Sequence, residues 1–471
     1  MKIHFIGICG VAMSALAIAF EKAGHSVSGS DAGFYPPISD NLKKTNIRFY
    51  PGWHVDKMCE GGAPDLVVVG NVASSTNPEW VYVQEHKLAY ASYPEAIAKF
   101  FLKENILVAA GTYGKTTTST LLSWIFRECG EDPSYMFGGL ALNDMDAAHL
   151  NTASPPYQGG ARSGWTILEG DEYKSSRWDN GAKFNHYKPT HLLLTAVEWD
   201  HMDVYATELE YINAFQGLFD EVKERNGKLV ASERVRNVLN MPEGVVWYGP
   251  STKATYQYTN VATTKGGTSC TVTVDSKSYE INTQMLGAPA ADNATACFAM
   301  AVEAGLKPSK VIDAIASFKG LKRRLEKRLD GPVTVIDDIA HSPAKALSTL
   351  STLRELYSGK LIAVFEPNTG NRKQSSVPSY HGTFAPADEV IIPKLSKIKR
   401  SPNDPDIPMD GKELANVIAA SHTNVQYIDD DQELVKRITT ARKNGDVIAF
   451  LGSHGFRGMI EETIKQLKNE D

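Results

Sequence analysis

The chain has 471 residues, of which 42% are hydrophobic and 22% charged. This is ordinary globular composition, which excludes disordered and fibrous classes, and because single hydrophobic cores stop growing near roughly 250–300 residues it implies about three domains. The net charge of −6 gives no general attraction to nucleic acid or anionic membrane. No run of about 18 apolar residues offers a membrane span, and five cysteines without a C-x-x-C pair fit free thiols in a reducing, cytoplasmic setting.

The opening MKIHFIGICG carries a charge and an apolar run but no small-residue cleavage site, so it reads as a strand over 2–8 and not as a signal peptide. Met13, Leu16, Ala17 and Phe20 then recur at helical spacing and predict a helix over 10–23. HSVSGSD gives a second strand ending at Asp31, and DLVVVGN gives another over 65–71. A new unit begins after residues 103–105, with a strand over 106–110, a loop over 111–115 and a helix over 116–126. WTILEGDE, THLLLTAVEWDH and GKLVAS continue the alternation. Between Trp247 and Asn282 the Thr-, Val- and Tyr-rich sequence predicts a few antiparallel strands attached to the central sheet. Beyond the basic stretch KGLKRRLEKRL a third series follows in VTVIDDIAH, KLIAVFEP, DEVIIPK and GDVIAFLGSHG. Strands alternating with helices predict parallel sheets, hence an α/β chain with domains over 1–103, 104–325 and 326–471.

The sharpest local pattern is Gly111-Thr112-Tyr113-Gly114-Lys115-Thr116-Thr117. Glycines let backbone N–H groups wrap a phosphate, the following helix adds its positive N-terminal end, Lys115 neutralises phosphate charge, and Thr116 offers a hydroxyl to Mg²⁺. Ala109 stands where the full pattern has its first glycine, so the loop is a variant. Acidic partners for a metal end two strands: Glu169, Asp171 and Glu172 on one, Glu198 and Asp200 with His201 on the other. Acidic strand ends also serve as caps and turns, and both readings stand. Gly7-Ile8-Cys9-Gly10-Val11-Ala12 is a degraded G-x-G-x-x-G, with Cys9 and Ala12 at the second and third glycine places and Asp31 at the distance of a ribose-contacting acid; the alternative is a plain tight turn. In the last third, Asp338 and His341 follow a strand, with Asp338 either near a phosphate or capping a helix. Lys322, Arg323 and Arg324 either pair with phosphate or form an exposed linker.

In their order, HFIGICG, GTYGKTTT, EGDEY, VEWDHMDVY, RRLE, DDIAHSP and FEP resemble the Mur ligase family over nearly the whole chain. Within it the likeness is strongest to the murein-peptide branch, on Ile8-Cys9-Gly10, the run from Ser30-Asp31-Ala32 to Tyr35-Pro36-Pro37, Gly70-Asn71, Glu172-Tyr173, Lys183–Tyr187 and Gly455-Phe456. The resemblance implies a Rossmann-like N-terminal domain for a UDP-sugar, a central P-loop ATPase-type domain, and a Rossmann-like C-terminal domain for the incoming amine. It also implies ATP and Mg²⁺ as cofactors, with UDP-N-acetylmuramate and a muropeptide-derived tripeptide as partners. The reaction so implied is ATP-dependent amide formation through an acyl phosphate, in peptidoglycan recycling. Carried over, Lys115, Glu169, His201, Asp338 and His341 would be catalytic. Gly7, Gly10, Asp31, Gly111, Thr112, Gly114, Lys115, Thr116, Thr117, Asn293 and Arg324 would bind nucleotides. Thr116 and Glu169 would hold one Mg²⁺ and His201 a second.

Three departures stand out. Tyr113 replaces the family's His or Asn, Ala196 replaces an Asn, and of the adenine-contacting G-x-H-N-x-x-N only Gly287 and Asn293 survive. Loss of buried amide contacts there costs on the order of 1–3 kcal/mol of nucleotide binding. No lysine occurs between His201 and Lys223, as the resemblance implies for the muramate–alanine and murein-peptide branches, which lack a carbamylated lysine. Two rival functions are a UDP-N-acetylmuramate–L-alanine ligase and a non-catalytic nucleotide-binding homologue.

Overall fold

The computed structural model describes residues 1–34, 38–71, 73–152, 164–201, 204–241, 243–396 and 408–469. Tyr35-Pro36-Pro37 of the resemblance, and Met202 and Asp203 after His201, lie outside the described residues. The chain is α/β throughout and folds into two compact units. The first comprises Met1–Ala262, Thr268–Gln284 and Pro289–Lys319; the second comprises Thr263–Gly267, Met285–Ala288 and Gly320–Asp471.

The first unit holds two sheets. Five parallel strands run in the spatial order Arg48–Pro51, Ser26–Asp31, Lys2–Ile6, Leu66–Val69, Tyr90–Ser92. The order reverses between Lys2–Ile6 and Leu66–Val69, the switch point at which doubly wound sheets open a crevice beyond their carboxyl ends. The opening strand stops at Ile6 and not at residue 8, because Gly7 turns to φ 89° and the N–H groups of Gly7 and Ile8 both donate to Ser30 O, at 2.8 and 3.0 Å. The second sheet has ten strands. At its heart Asn105–Ala110 lies between Trp165–Gly170 and His191–Leu194, all parallel, and the predicted Thr/Val-rich strands extend one edge as Val246–Gly249, Tyr256–Thr264, Gly267–Val274 and Lys277–Thr283.

The two sheets share one apolar core that runs from Ile3, Phe5 and Phe20 through Phe101 and Ile106 to Leu168, Phe184 and Tyr211. The expected boundary at 103–105 begins on a buried residue. Lys103 is 5% exposed, its N–H donates to Thr166 Oγ1 at 2.9 Å and its ammonium to Asn151 O at 3.0 Å. A junction tied to the next sheet by its own backbone is a joint, not a free linker.

The second unit carries a six-stranded sheet in the order Glu326–Leu329, Thr334–Asp338, Val447–Gly452, Leu361–Glu366, Glu389–Pro393, Val425–Ile428, with only the first strand antiparallel. Thus part of the basic stretch KGLKRRLEKRL is an edge strand. Alternating side chains explain it: Arg328 reaches Asp337 at 3.4 Å and Glu461 at 2.9 Å, so its charge is matched inside the sheet edge.

Candidate active site

The site is built where three neighbouring strands of the ten-stranded sheet end. Register places Ala110 beside both Gly170 and Leu194, so the loop after Ala110, the acidic end at Glu169 and the segment after Leu194 meet at one level. The glycines are required by space and conformation. Gly111 has φ 135°, and a Cβ there would fall 2.8 Å from Ala196 N; Gly114 has φ 81°, and its Cβ would fall 2.8 Å from Asn293 Oδ1. Gly114 starts the helix Lys115–Glu128 with no side-chain cap. Its first N–H groups, including those of Thr116 and Thr117, are therefore left for an anion.

The strand predicted across THLLLTAVEWDH stops at Leu194, and the rest clasps the loop. Thr112 N–H donates to Ala196 O at 2.9 Å, Thr195 Oγ1 donates to Tyr113 O, and Thr112 Oγ1 lies 2.8 Å from both Glu198 N and Glu198 O. Tyr211 OH, from the helix Glu208–Glu224, lies 2.9 Å from Thr112 Oγ1. Thr112, expected at the nucleotide, spends its hydroxyl on this clasp.

Lys115 Nζ donates to Glu172 Oε1 at 2.9 Å, and Thr116 Oγ1 donates to Glu169 Oε1 at 2.7 Å while Gly138 N–H holds Glu169 Oε2 at 2.5 Å. Burial pushes the Glu169 pKa up, opposed by those two hydrogen bonds. His201, at φ 56°, sets Nε2 at 3.4 Å from Glu172 Oε1, and that contact raises its pKa against the effect of burial. The structure therefore brings Lys115, Thr116, Glu169, His201 and Asn293 to one loop, with Glu172 as a hub that the sequence marked only as one of three acids. Burial pushes Asp171 up, but the Lys183 ammonium holds it below the ordinary carboxylate range; its role is to anchor the Lys183–His186 turn.

The donor set suits magnesium. Thr116 and Glu169 offer hard oxygens and His201 an imidazole, while no three His, Cys, Asp or Glu side chains converge among the described residues. Magnesium ordinarily takes one or two carboxylates and completes its shell with phosphate and water.

At the first sheet, the Gly7–Gly10 turn is held from behind: Asp31 Oδ2 accepts from Cys9 N–H at 2.8 Å, and Gly10 starts the helix Val11–Lys22 without a side-chain cap. In the second unit Asp338 accepts from Leu325 N–H at 2.6 Å and Ala340 N–H at 2.8 Å, so it pins a turn and does not cap the helix Pro343–Leu356. Burial raises its pKa, with those bonds opposing. His341 Nδ1 lies 2.7 Å from Ile339 O. Arg323 is committed to structure, to Asp337 and to the carbonyls of Gly452, Ser453 and His454, whereas Arg324 and Lys322 are exposed.

Comparison with known proteins places this geometry. Profiles of the Mur ligase middle domain, the Mur ligase family catalytic domain and the Mur ligase glutamate ligase domain match residues 109–301, 2–104 and 323–454. A UDP-N-acetylmuramate–L-alanine ligase of Synechococcus sp. is 30% identical over 98% of this chain and 86% of its own. The chain belongs to the Mur ligase family. A UDP-N-acetylmuramate–L-alanyl-γ-D-glutamyl-meso-2,6-diaminoheptandioate ligase of Escherichia coli is 29% identical over 99% of this chain and 98% of its own. The solved UDP-N-acetylmuramate–alanine ligase of Thermotoga maritima superposes with a TM-score of 0.77 at 23% identity, covering both chains fully, and establishes the three-domain α/β fold. This Mur ligase is an ATP-dependent amide-bond-forming enzyme, and no helix among the described residues is long and apolar enough to cross a membrane.

Proposed function

We propose that this Mur ligase joins UDP-N-acetylmuramate to L-alanyl-γ-D-glutamyl-meso-diaminopimelate in the cytoplasm, as a step of peptidoglycan recycling. The observation that carries the reading is the packing together of two segments, Glu172-Tyr173 and Lys183–Tyr187, that resemble the murein-peptide branch in sequence. Lys183 pairs with Asp171, its ammonium lies 5.6 Å from the Tyr173 ring centre, and its N–H donates to Tyr173 O, so Glu172-Tyr173 and Lys183–Tyr187 form one wall beside Lys115. The likeness to the Escherichia coli enzyme over nearly both full lengths supports it.

In this reading a carboxylate oxygen of the sugar's lactyl group attacks the γ-phosphorus and ADP leaves. The peptide's amine nitrogen then attacks the acyl carbon, loses a proton, and phosphate departs. Lys115 offsets phosphate charge, and Asn293 and the N–H groups of Thr116 and Thr117 orient the nucleotide, so alignment and charge neutralisation supply the rate. Thr116 and Glu169 would hold one magnesium ion and His201 a second, and each, when bound, would neutralise developing phosphate charge. Gly7, Gly10 and Asp31 serve the UDP moiety, and Arg324, Asp338 and His341 serve phosphate and amine. The domain limits 1–103, 104–325 and 326–471 belong to the same proposal.

The test is Mg·ATP-dependent phosphate release with UDP-N-acetylmuramate, comparing L-alanine with the tripeptide. Turnover with the tripeptide alone supports recycling. Turnover with alanine supports the biosynthetic reading, which the Synechococcus relative favours at 30% identity. Silence with both leaves a nucleotide-binding homologue.

A further inference from the structure

Glu172 sits two residues beyond the strand Trp165–Gly170 and has no exposed surface. One of its oxygens is crowded: Oε1 takes Lys115 Nζ at 2.9 Å, Tyr211 OH at 3.3 Å and His201 Nε2 at 3.4 Å, so three separate segments converge on it. Its main-chain carbonyl accepts from Tyr205 OH at 2.6 Å, which fixes the residue in place. The other oxygen, Oε2, is buried with no hydrogen-bond partner. A buried orphan acceptor in a native protein calls for an explanation.

Lys115 gives that explanation. Lys115 begins the helix that follows the loop, where a bound triphosphate needs its charge, yet its ammonium lies on Glu172 and reaches back to Thr112 O at 3.4 Å. It cannot neutralise Glu172 and a triphosphate equally at once, because the interaction of unit charges falls with distance. We propose that Glu172 is a positioning residue, a counter-ion that parks Lys115 and orients His201 before nucleotide binds and yields Lys115 to the phosphates when it does. The cost of breaking the pair is part of the nucleotide's binding free energy, and Tyr211 and His201 remain to hold the carboxylate once Lys115 has left. This rests on reading Gly111–Thr116 as a nucleotide loop, within the proposed ligase function, and is independent of the amine substrate.

The test is calorimetric titration of the full chain with a non-hydrolysable ATP analogue and Mg²⁺. Glu172→Gln should tighten binding about fivefold, the size of coupling expected between contacting residues, while kcat with UDP-N-acetylmuramate and tripeptide falls at least about tenfold because Lys115 and His201 lose their guide. In a Lys115→Ala background the same change should leave affinity unmoved. Glu172→Asp, which keeps the charge and draws it back, should act in the same direction with smaller size, and it serves if the Gln variant does not fold. Unchanged or weakened binding in both variants overturns the proposal. So does equal tightening with and without Lys115, which would mean a general charge effect on the phosphates. If the unmutated enzyme binds no nucleotide, the nucleotide reading of the loop falls and the proposal with it.

Discussion

Replacing Lys115 by Ala removes the ammonium 2.9 Å from Glu172 and leaves a fully buried carboxylate without its cation. Removing one member of a buried pair costs about 3–5 kcal/mol. Two features put this case at the lower end. The Lys115 side chain is 15% exposed, so water already screens part of the pair, and Glu172 Oε1 keeps Tyr211 and His201 at 3.3 and 3.4 Å. The expected loss is therefore about 3 kcal/mol. With an unfolding entropy of about 2.1 cal/mol/K per residue over a unit of about 300 residues, this lowers the unit's melting temperature by roughly 5 °C. Scanning calorimetry without nucleotide measures it, resolving the two units' transitions. Lys115→Ala with Glu172→Gln removes the stranded charge and should recover most of the loss, although neither variant should turn over. A Lys115→Ala protein melting within about 1 °C of the parent would refute the reasoning, since the pair would then carry no net stability.

Gly114→Ala should cost about 1–2 kcal/mol for the left-handed backbone alone, and it should weaken nucleotide binding further because the new methyl meets Asn293 Oδ1 at 2.8 Å; melting and nucleotide titration check the two parts separately. Burial and the nearby Lys228 lower the His191 pKa to about 4 from the ordinary 6.5. Between pH 6.5 and 4 the unfolded chain binds a proton that the folded chain resists, so stability falls as pH drops through that window, by about 3 kcal/mol at most, and is level above it. His191→Gln should flatten the slope of melting temperature against pH between 6.5 and 4.5. Finally, with Pro289 and Ala290 in place of amide- and imidazole-bearing residues, kcat/KM for ATP over GTP should stay below about tenfold, since a full hydrogen-bonding site discriminates far more strongly; parallel phosphate-release assays with the two nucleotides measure it.

Most of the architecture was legible because parallel strands buried on both faces are written as apolar runs. Ile106–Ala110, Leu361–Phe365 and Val447–Leu451 are all buried, and each reads directly from its sequence. The misread boundaries share another cause. The strand over 2–8 ends early at Gly7, and THLLLTAVEWDH ends at Leu194, because in both places the apolar run continues into backbone that turns to hold a loop. Periodicity reports burial, and the first residues of these turns, Gly7 and Ile8 in one and Thr195 to Val197 in the other, are as buried as the strands they follow. The edge strand Glu326–Leu329 failed in the opposite way: it is charged, and only its partner strand with Asp337 makes it a strand.

The site divides along the same line. Gly111, Gly114, Lys115, Thr116 and Glu169 stand in short patterns of the sequence, and the structure brings them to one loop. Glu172, Tyr205 and Tyr211 meet only through folding, and no local spacing announces a carboxylate whose partners come from three separate segments. The departure at Ala196 shows the converse. An absent side chain looked damaging in sequence, but at this position the fold uses the backbone: Ala196 O holds Thr112 N–H at 2.9 Å, the residue is 3% exposed, and its main chain crowds Gly111 too closely for any Cβ there. The loop is thus clasped independently of the residue type at 196. Asn293, the survivor of the degraded adenine segment, stands against Gly114, while Ala290 is 3% exposed and carries no polar atom to offer a base. The departures from the family pattern thus fall in the segment Gly287–Asn293 and not in the contacts that clasp the loop Gly111–Thr116.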